Sequence, residues 1–196
     1  MRKLSVFCVI LLLTALCGCE ENTEQTRFLL DTVANIKADC DNETLSGAFL
    51  LCENLEKTLS RTVENSDVWK LNNSNGFVEV SEDAEKIIEK SIYYSEMSKG
   101  KFDVTVYAVS SLWDFKNQVI PSRDEISEAL KNIDYQAIEI EENKINTKGK
   151  QIDLGGIAKG YIADKVKEYL VSKGVKKGLI NLGGDIVCFG DTYKIA

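Results

Sequence analysis

Three short stretches of this sequence bring together residue types that can handle an anionic ligand. In the first, Ser98-Lys99-Gly100-Lys101-Phe102-Asp103-Val104-Thr105 is followed by Leu112-Trp113-Asp114-Phe115. A glycine, an aromatic, a carboxylate and a β-branched hydroxyl in close order suit a backbone that approaches a ligand, with Asp103 aimed at it. The plainer reading stands beside it: a helix end and turn whose Asp103 caps a backbone group, with Trp113 and Phe115 in the core. In the second, Ile152-Asp153-Leu154-Gly155-Gly156-Ile157-Ala158-Lys159-Gly160-Tyr161, a strand delivers Asp153, two glycines turn the chain and a helix begins. Free amides at a helix start bind phosphate, and Lys159 could neutralise it; an unliganded turn is equally consistent with the pattern. In the third, Ile180-Asn181-Leu182-Gly183-Gly184-Asp185-Ile186, paired glycines between apolar runs make a hairpin or a bulge.

None of these is a standard nucleotide loop. The dinucleotide fingerprint needs GxGxxG where this chain has GGxxxG, and the Walker loop needs Lys directly after its last glycine, where Tyr161 stands. The chain has no histidine, which excludes Ser-His and Cys-His nucleophiles and imidazole metal ligands. A net charge of −7 argues against a nucleic-acid surface, so an anionic ligand must be held locally. Cys8, Cys17, Cys19, Cys40, Cys52 and Cys188 form no CxxC pair and no zinc signature; Cys40, Cys52 and Cys188 read as buried or semi-buried thiols.

The elements that must position these residues follow from periodicity. Leu29 to Ala38 predicts a first strand. Leu45, Phe49, Cys52, Leu55, Glu56 and Leu59 put a mostly apolar stripe on a helix over residues 44–59. Residues 60–76 read as a long polar loop and 77–80 as a short strand. Ser81 caps a helix to about Ser98 that Gly100 ends, and Ser122 with Glu125 makes a capping box for another. Residues 137–141 and 144–147 predict a hairpin. A helix over 156–172, ending at Gly174, precedes strands at 178–182 and 185–189. Helices and hairpins alternate, so the class is α+β, a mixed sheet with flanking helices. Tyr193 to Ala196 is a strand-like run without a closing turn, and reads as a cut.

The amino terminus carries its own signal. Met1-Arg2-Lys3 precedes the apolar run Leu4 to Leu16, short for a membrane span but right for a signal-peptide core. Leu16-Cys17-Gly18-Cys19 resembles the lipobox of bacterial lipoproteins, which makes residues 1–18 the leader and Cys19 the acylated first residue. Residues 19–27 then read as a polar tether, and 28–196 as the domain, held by lipid at the extracytoplasmic face of the cell membrane.

Taken together and in this order, the three stretches resemble the ApbE family of FAD:protein FMN transferases. Leu59-Ser60, Ser66 to Asn72, Asp164 and Ile180 to Ile186 add to the likeness, which runs from about Phe28 to Gly190. The resemblance implies an ApbE-like, T-fold-related α+β domain that binds FAD and Mg²⁺ and moves FMN onto a threonine or serine hydroxyl of a partner protein, releasing AMP. It implies that Leu30, Lys101, Phe102, Asp103, Asp153 and Lys159 contact FAD and that the Gly156 carbonyl is a metal ligand. It also implies an acceptor in a membrane redox complex. Asp31 departs from the glycine that many members have. Members continue into a histidine-containing segment implicated in catalysis and an Asp-x-x-x-Thr motif completing the metal site, so the chain reads as an amino-terminal portion, incomplete at its carboxy terminus, with no catalytic residue assigned. Two further readings stay open: a membrane-tethered FAD-binding lipoprotein without chemistry, and an inactive truncated remnant.

Overall fold

A computed structural model of the protein describes residues 22–195. The leader expected at 1–18, the expected acylation site Cys19 and the final Ala196 lie outside them. The described chain opens with a hairpin, β1 (Asn22–Leu29) and β2 (Thr32–Asp39), in register from Asn22↔Asp39 to Leu29↔Thr32. The sequence predicted a polar tether through residue 27 and a single strand from Leu29. The polar residues instead form an edge strand, which needs ladder hydrogen bonds and one face in water rather than an apolar pattern. Asn35 Nδ2 on β2 donates across to Glu24 Oε1 at 3.0 Å and Thr26 Oγ1 at 2.9 Å.

Helix α1 (Asn42–Leu59) starts where the Asp41 side chain accepts from the Thr44 amide, and buries Leu45, Phe49, Cys52, Leu55 and Leu59 of the expected stripe. In place of the predicted loop, α2 (Asp67–Asn72) forms because Ser66 caps it and Val68 and Leu71, three apart, are both buried. After β3 (Val78–Glu79) comes α3 (Glu82–Met97), capped by Ser81 as predicted, and Gly100 turns the chain at φ 76°. A single turn, α4 (Tyr107–Ser110), follows. Phe115, expected in the core on the plainer reading, is 86% exposed, while Trp113 is half-buried. Helix α5 (Arg123–Leu130) has the full Ser122–Glu125 capping box. Then come β4 (Glu139–Glu141), β5 (Lys144–Asn146), α6 (Ala158–Ser172), β6 (Gly178–Leu182) and β7 (Asp185–Phe189). Residues 193–195, the described part of the run expected as strand-like, are not strand.

The strands make two antiparallel sheets among the described residues, one in the order β1-β2-β6-β7 and one in the order β3-β5-β4. One face of the larger sheet offers Ala34, Ile36, Ala38, Ile180 and Leu182, all buried, to a core shared with α1 and with Ile162, Val166 and Leu170 of α6. The two helices approach closely at Gly47, where an added Cβ would meet Tyr169 Oη at 2.0 Å. Helix α3 joins the same core through Ala84, Ile87 and Ile88. Tyr161 ties α6 to α3 by donating to Asp83 Oδ1 at 2.7 Å. Cys52 is buried and Cys40 half-buried, as expected, whereas Cys188 is exposed. Burial is the main cause that pushes the Cys52 thiol up to about 12.

Candidate functional site

At one end of the larger sheet four segments converge on a cleft of about 260 Å³. The β1–β2 turn supplies Leu30 and Asp31; the end of α1 and the loop after it supply Glu56, Leu59, Ser60, Arg61 and Thr62. The segment entering α6 supplies Asp153, Leu154 and Gly155, and its first turns Ala158, Lys159 and Ile162. Leu30 and Asp31 sit at φ 57° and 54°, the two positive values that a tight hairpin turn demands. A leucine in that region costs roughly 1–2 kcal/mol. Glu56 Oε1 holds it there by accepting the Leu30 amide at 2.9 Å.

Asp153 is fixed from both sides. Its own amide donates to Val104 O at 2.8 Å, and the Asn72 carboxamide brackets Ile152 just before it, accepting from the Ile152 amide at 2.7 Å and donating to its carbonyl at 2.9 Å. The carboxylate accepts from the Gly155 amide at 2.8 Å through Oδ1 and pairs with Arg61 Nε at 3.2 Å through Oδ2. The Arg61 guanidinium lies 4.7 Å over the Tyr107 ring. Lys159 pairs with Asp185 Oδ2 at 3.7 Å, a residue delivered by the Gly183-Gly184 turn at φ 65° and 99°. That hairpin turn, one of the two readings the sequence left open, packs beside β2: the Gly183 amide donates to Val33 O at 3.1 Å. Both cleft cations are therefore already matched to carboxylates. With side chains 38% and 32% exposed, such pairs contribute only about 0.2–1 kcal/mol each, so an anionic ligand could displace them.

A second cavity, about 420 Å³, is lined by Tyr94, Met97, Ser98, Phe102, Gly156 and Ile157. Ser98 Oγ accepts the Phe102 amide at 2.9 Å, and the ring stands so close to Gly156 that a Cβ there would meet it at 3.2 Å. Gly155 lines the first cavity and Gly156 the second, so the double glycine forms the partition between a polar cleft and an apolar one.

Of the residues singled out from the sequence, Leu30, Asp153 and Lys159 share the polar cleft, and Phe102 and Gly156 share the apolar one. Lys101 is exposed and lines neither. Asp103 is turned away: Oδ1 accepts from the Thr105 amide at 2.8 Å and hydroxyl at 2.6 Å, and Oδ2 from the Tyr135 amide at 3.3 Å, which is the capping arrangement. The amides at the start of α6 are less free than the glycine pattern predicted. Ile157 and Ala158 donate to Leu154 O at 2.9 and 2.8 Å, and Gly155 donates to Asp153. Arg61 and Glu56 carried no functional signal in the sequence, and Asn72 entered only as the end of the Ser66 to Asn72 stretch of the family likeness; Arg61 is a cation just past the last buried residue of α1. No three Asp, Glu or Cys side chains among the described residues come together as a metal cage. Among the described residues, the donor the resemblance offers a cation is the Gly156 carbonyl. For a flavin dinucleotide the fit is better, with two cations for phosphates and an apolar cavity for a flat ring.

The profile of the ApbE family matches residues 30–196. The FAD:protein FMN transferase of Treponema pallidum is 29% identical over 162 residues, covering 76% of this chain and 45% of that protein. The Klebsiella pneumoniae enzyme of the same name is 30% identical, covering 77% and 50%. The chain thus spans about half the length of these relatives. Among solved structures, the ApbE protein of Thermotoga maritima superposes with a TM-score of 0.79 at 29% identity, covering 86% of this chain and 59% of that one. The flavin transferase ApbE of Vibrio cholerae matches with the same TM-score and coverage at 24% identity, a likeness of fold.

Proposed function

Because this chain belongs to the ApbE family, we propose that its paired cavities bind FAD and serve the transfer of FMN from FAD to a threonine or serine hydroxyl of a partner protein. The observation that carries the reading is the convergence of Leu30, Asp153 and Lys159, distant in sequence, on one polar cleft whose glycine wall adjoins an apolar one. In the reaction the acceptor oxygen attacks the FMN-side phosphorus, the bond to the bridging oxygen breaks, and AMP departs with that oxygen. The hydroxyl proton leaves to water or a nearby base as the new bond to phosphorus forms. Lys159 would offset charge building on the diphosphate, and Phe102 with Ile157 would shield a flat ring from water. Asp153, firmly placed, would accept a hydrogen bond from the ligand. Lys101 and Asp103, expected to contact FAD, flank Phe102 and would meet the ligand beside it. The Gly156 carbonyl would be this stretch's donor to Mg²⁺, which would neutralise phosphate charge.

Cys19 would carry the lipid that holds the domain at the extracytoplasmic membrane face, within reach of an acceptor in a membrane redox complex. The described helices include none long and apolar enough to cross a membrane. A second reading, a tethered protein that binds and presents FAD without chemistry, needs only the two cavities and the cations of the polar one. Calorimetry with FAD is expected to show binding that Asp153→Ala and Lys159→Ala each weaken. Unchanged affinity in both variants would reject the site. AMP release with FAD, Mg²⁺ and an acceptor peptide separates the transferase from the carrier.

A further inference from the structure

We propose that Arg61 is the side chain that grips the FAD diphosphate, stored against Asp153 and Tyr107 until the ligand takes it over. The inference rests on the FAD reading above and adds to it a residue and a handover. Arg61 is presented to the cleft by a loop whose own side chains hold it in shape. Ser60 Oγ accepts from the amides of Thr62 and Val63 at 3.2 and 3.3 Å, while Ser66 Oγ donates to Ser60 O. The Tyr107 ring at 4.7 Å supports one face of the guanidinium. The Asp153 contact uses Nε, which leaves the two terminal nitrogens, the fork that matches phosphate oxygens two at a time. Lys159, a point charge on α6, lies in the same cleft and is committed to Asp185. A diphosphate entering between them would meet a planar donor on one side and an ammonium on the other. Handing Arg61 to the ligand would also release Asp153 Oδ2 to accept from a ligand hydroxyl or amine. Ligand-free, the ion pair keeps the cleft's charge balanced and its loop in place.

The test is titration calorimetry on the full chain in detergent, with FAD, ADP and riboflavin as separate probes, for the wild type, Arg61→Ala and Arg61→Lys. Melting temperatures serve as the folding control. Arg61→Ala is expected to weaken FAD and ADP roughly tenfold or more and to leave riboflavin, which lacks phosphate, unchanged; Arg61→Lys is expected to recover part of the loss. FAD affinity within about twofold of wild type in Arg61→Ala, or an equal loss for riboflavin and FAD, overturns the proposal and leaves Arg61 as a loop staple. A wild-type chain that binds neither FAD nor ADP overturns the FAD reading itself, and this inference with it.

Discussion

Asn72 does for Ile152 what a neighbouring strand would do, giving one acceptor and one donor to a buried backbone. Asn72→Ala leaves that amide and carbonyl without partners, which is expected to cost about 1–3 kcal/mol, read as a lowered urea midpoint. FAD affinity should fall with it, because Ile152 fixes the start of Asp153. Asn72→Asp keeps the acceptor and loses the donor, so its midpoint should lie between the two. Nothing in the sequence marks Asn72 for this role, because its partner lies 80 residues away and an asparagine among other asparagines reads as loop. The same holds for Arg61. That Asp153 and Lys159 come together in one cleft was legible because they flank a double glycine that turns a strand end into a helix. Asp103 shared that kind of pattern and spends its carboxylate on Thr105 and Tyr135 instead. A capping carboxylate and a ligand-facing one are alike in residue type and differ only in direction.

The long elements were legible because burial imposes a period. Helices α1, α3 and α6 show theirs, and the Ser122–Glu125 box marks α5 by local chemistry alone. Strand β1 was not, since an edge strand with one wet face can be built from Thr, Glu and Gln. At the Gly183-Gly184 turn both residues have positive φ, yet only Gly183 is crowded, an added Cβ lying 2.5 Å from Thr32 Oγ1. Alanine at either glycine should cost about 1–2 kcal/mol for its backbone conformation. Gly183→Ala should melt below Gly184→Ala because Thr32 must also move. Between helices, Tyr161 donates to Asp83, and burial together with that bond raises the phenol above its ordinary value. A raised acid contributes stability that is present below its unfolded value, near 10, and lost as pH climbs past it. Thermal melts are expected to show an alkaline decline above about pH 10 that Tyr161→Phe flattens. An identical decline in the variant would remove Tyr161 as its cause.

At the scale of the molecule, one core joins both sheets, and every lining residue of the polar cleft gathers at a single end of the larger sheet. The opposite end is where β1 begins, at Asn22 beside Asp39. Eight residues of strand at about 3.3 Å each separate the two ends by about 26 Å. The three steps from Cys19 to Asn22 can add no more than about 11 Å. With Cys19 acylated, a fluorophore at position 41 should be quenched strongly by nitroxides on lipid headgroups and one at position 31 only weakly; equal quenching would mean that the hairpin lies flat on the bilayer. Upright, β1 and β2 work as a stand-off post. On the proposed reading, an acceptor hydroxyl would then have to be carried out into the aqueous layer on a projecting loop or domain, and one lodged among acyl chains would lie out of reach of the cleft.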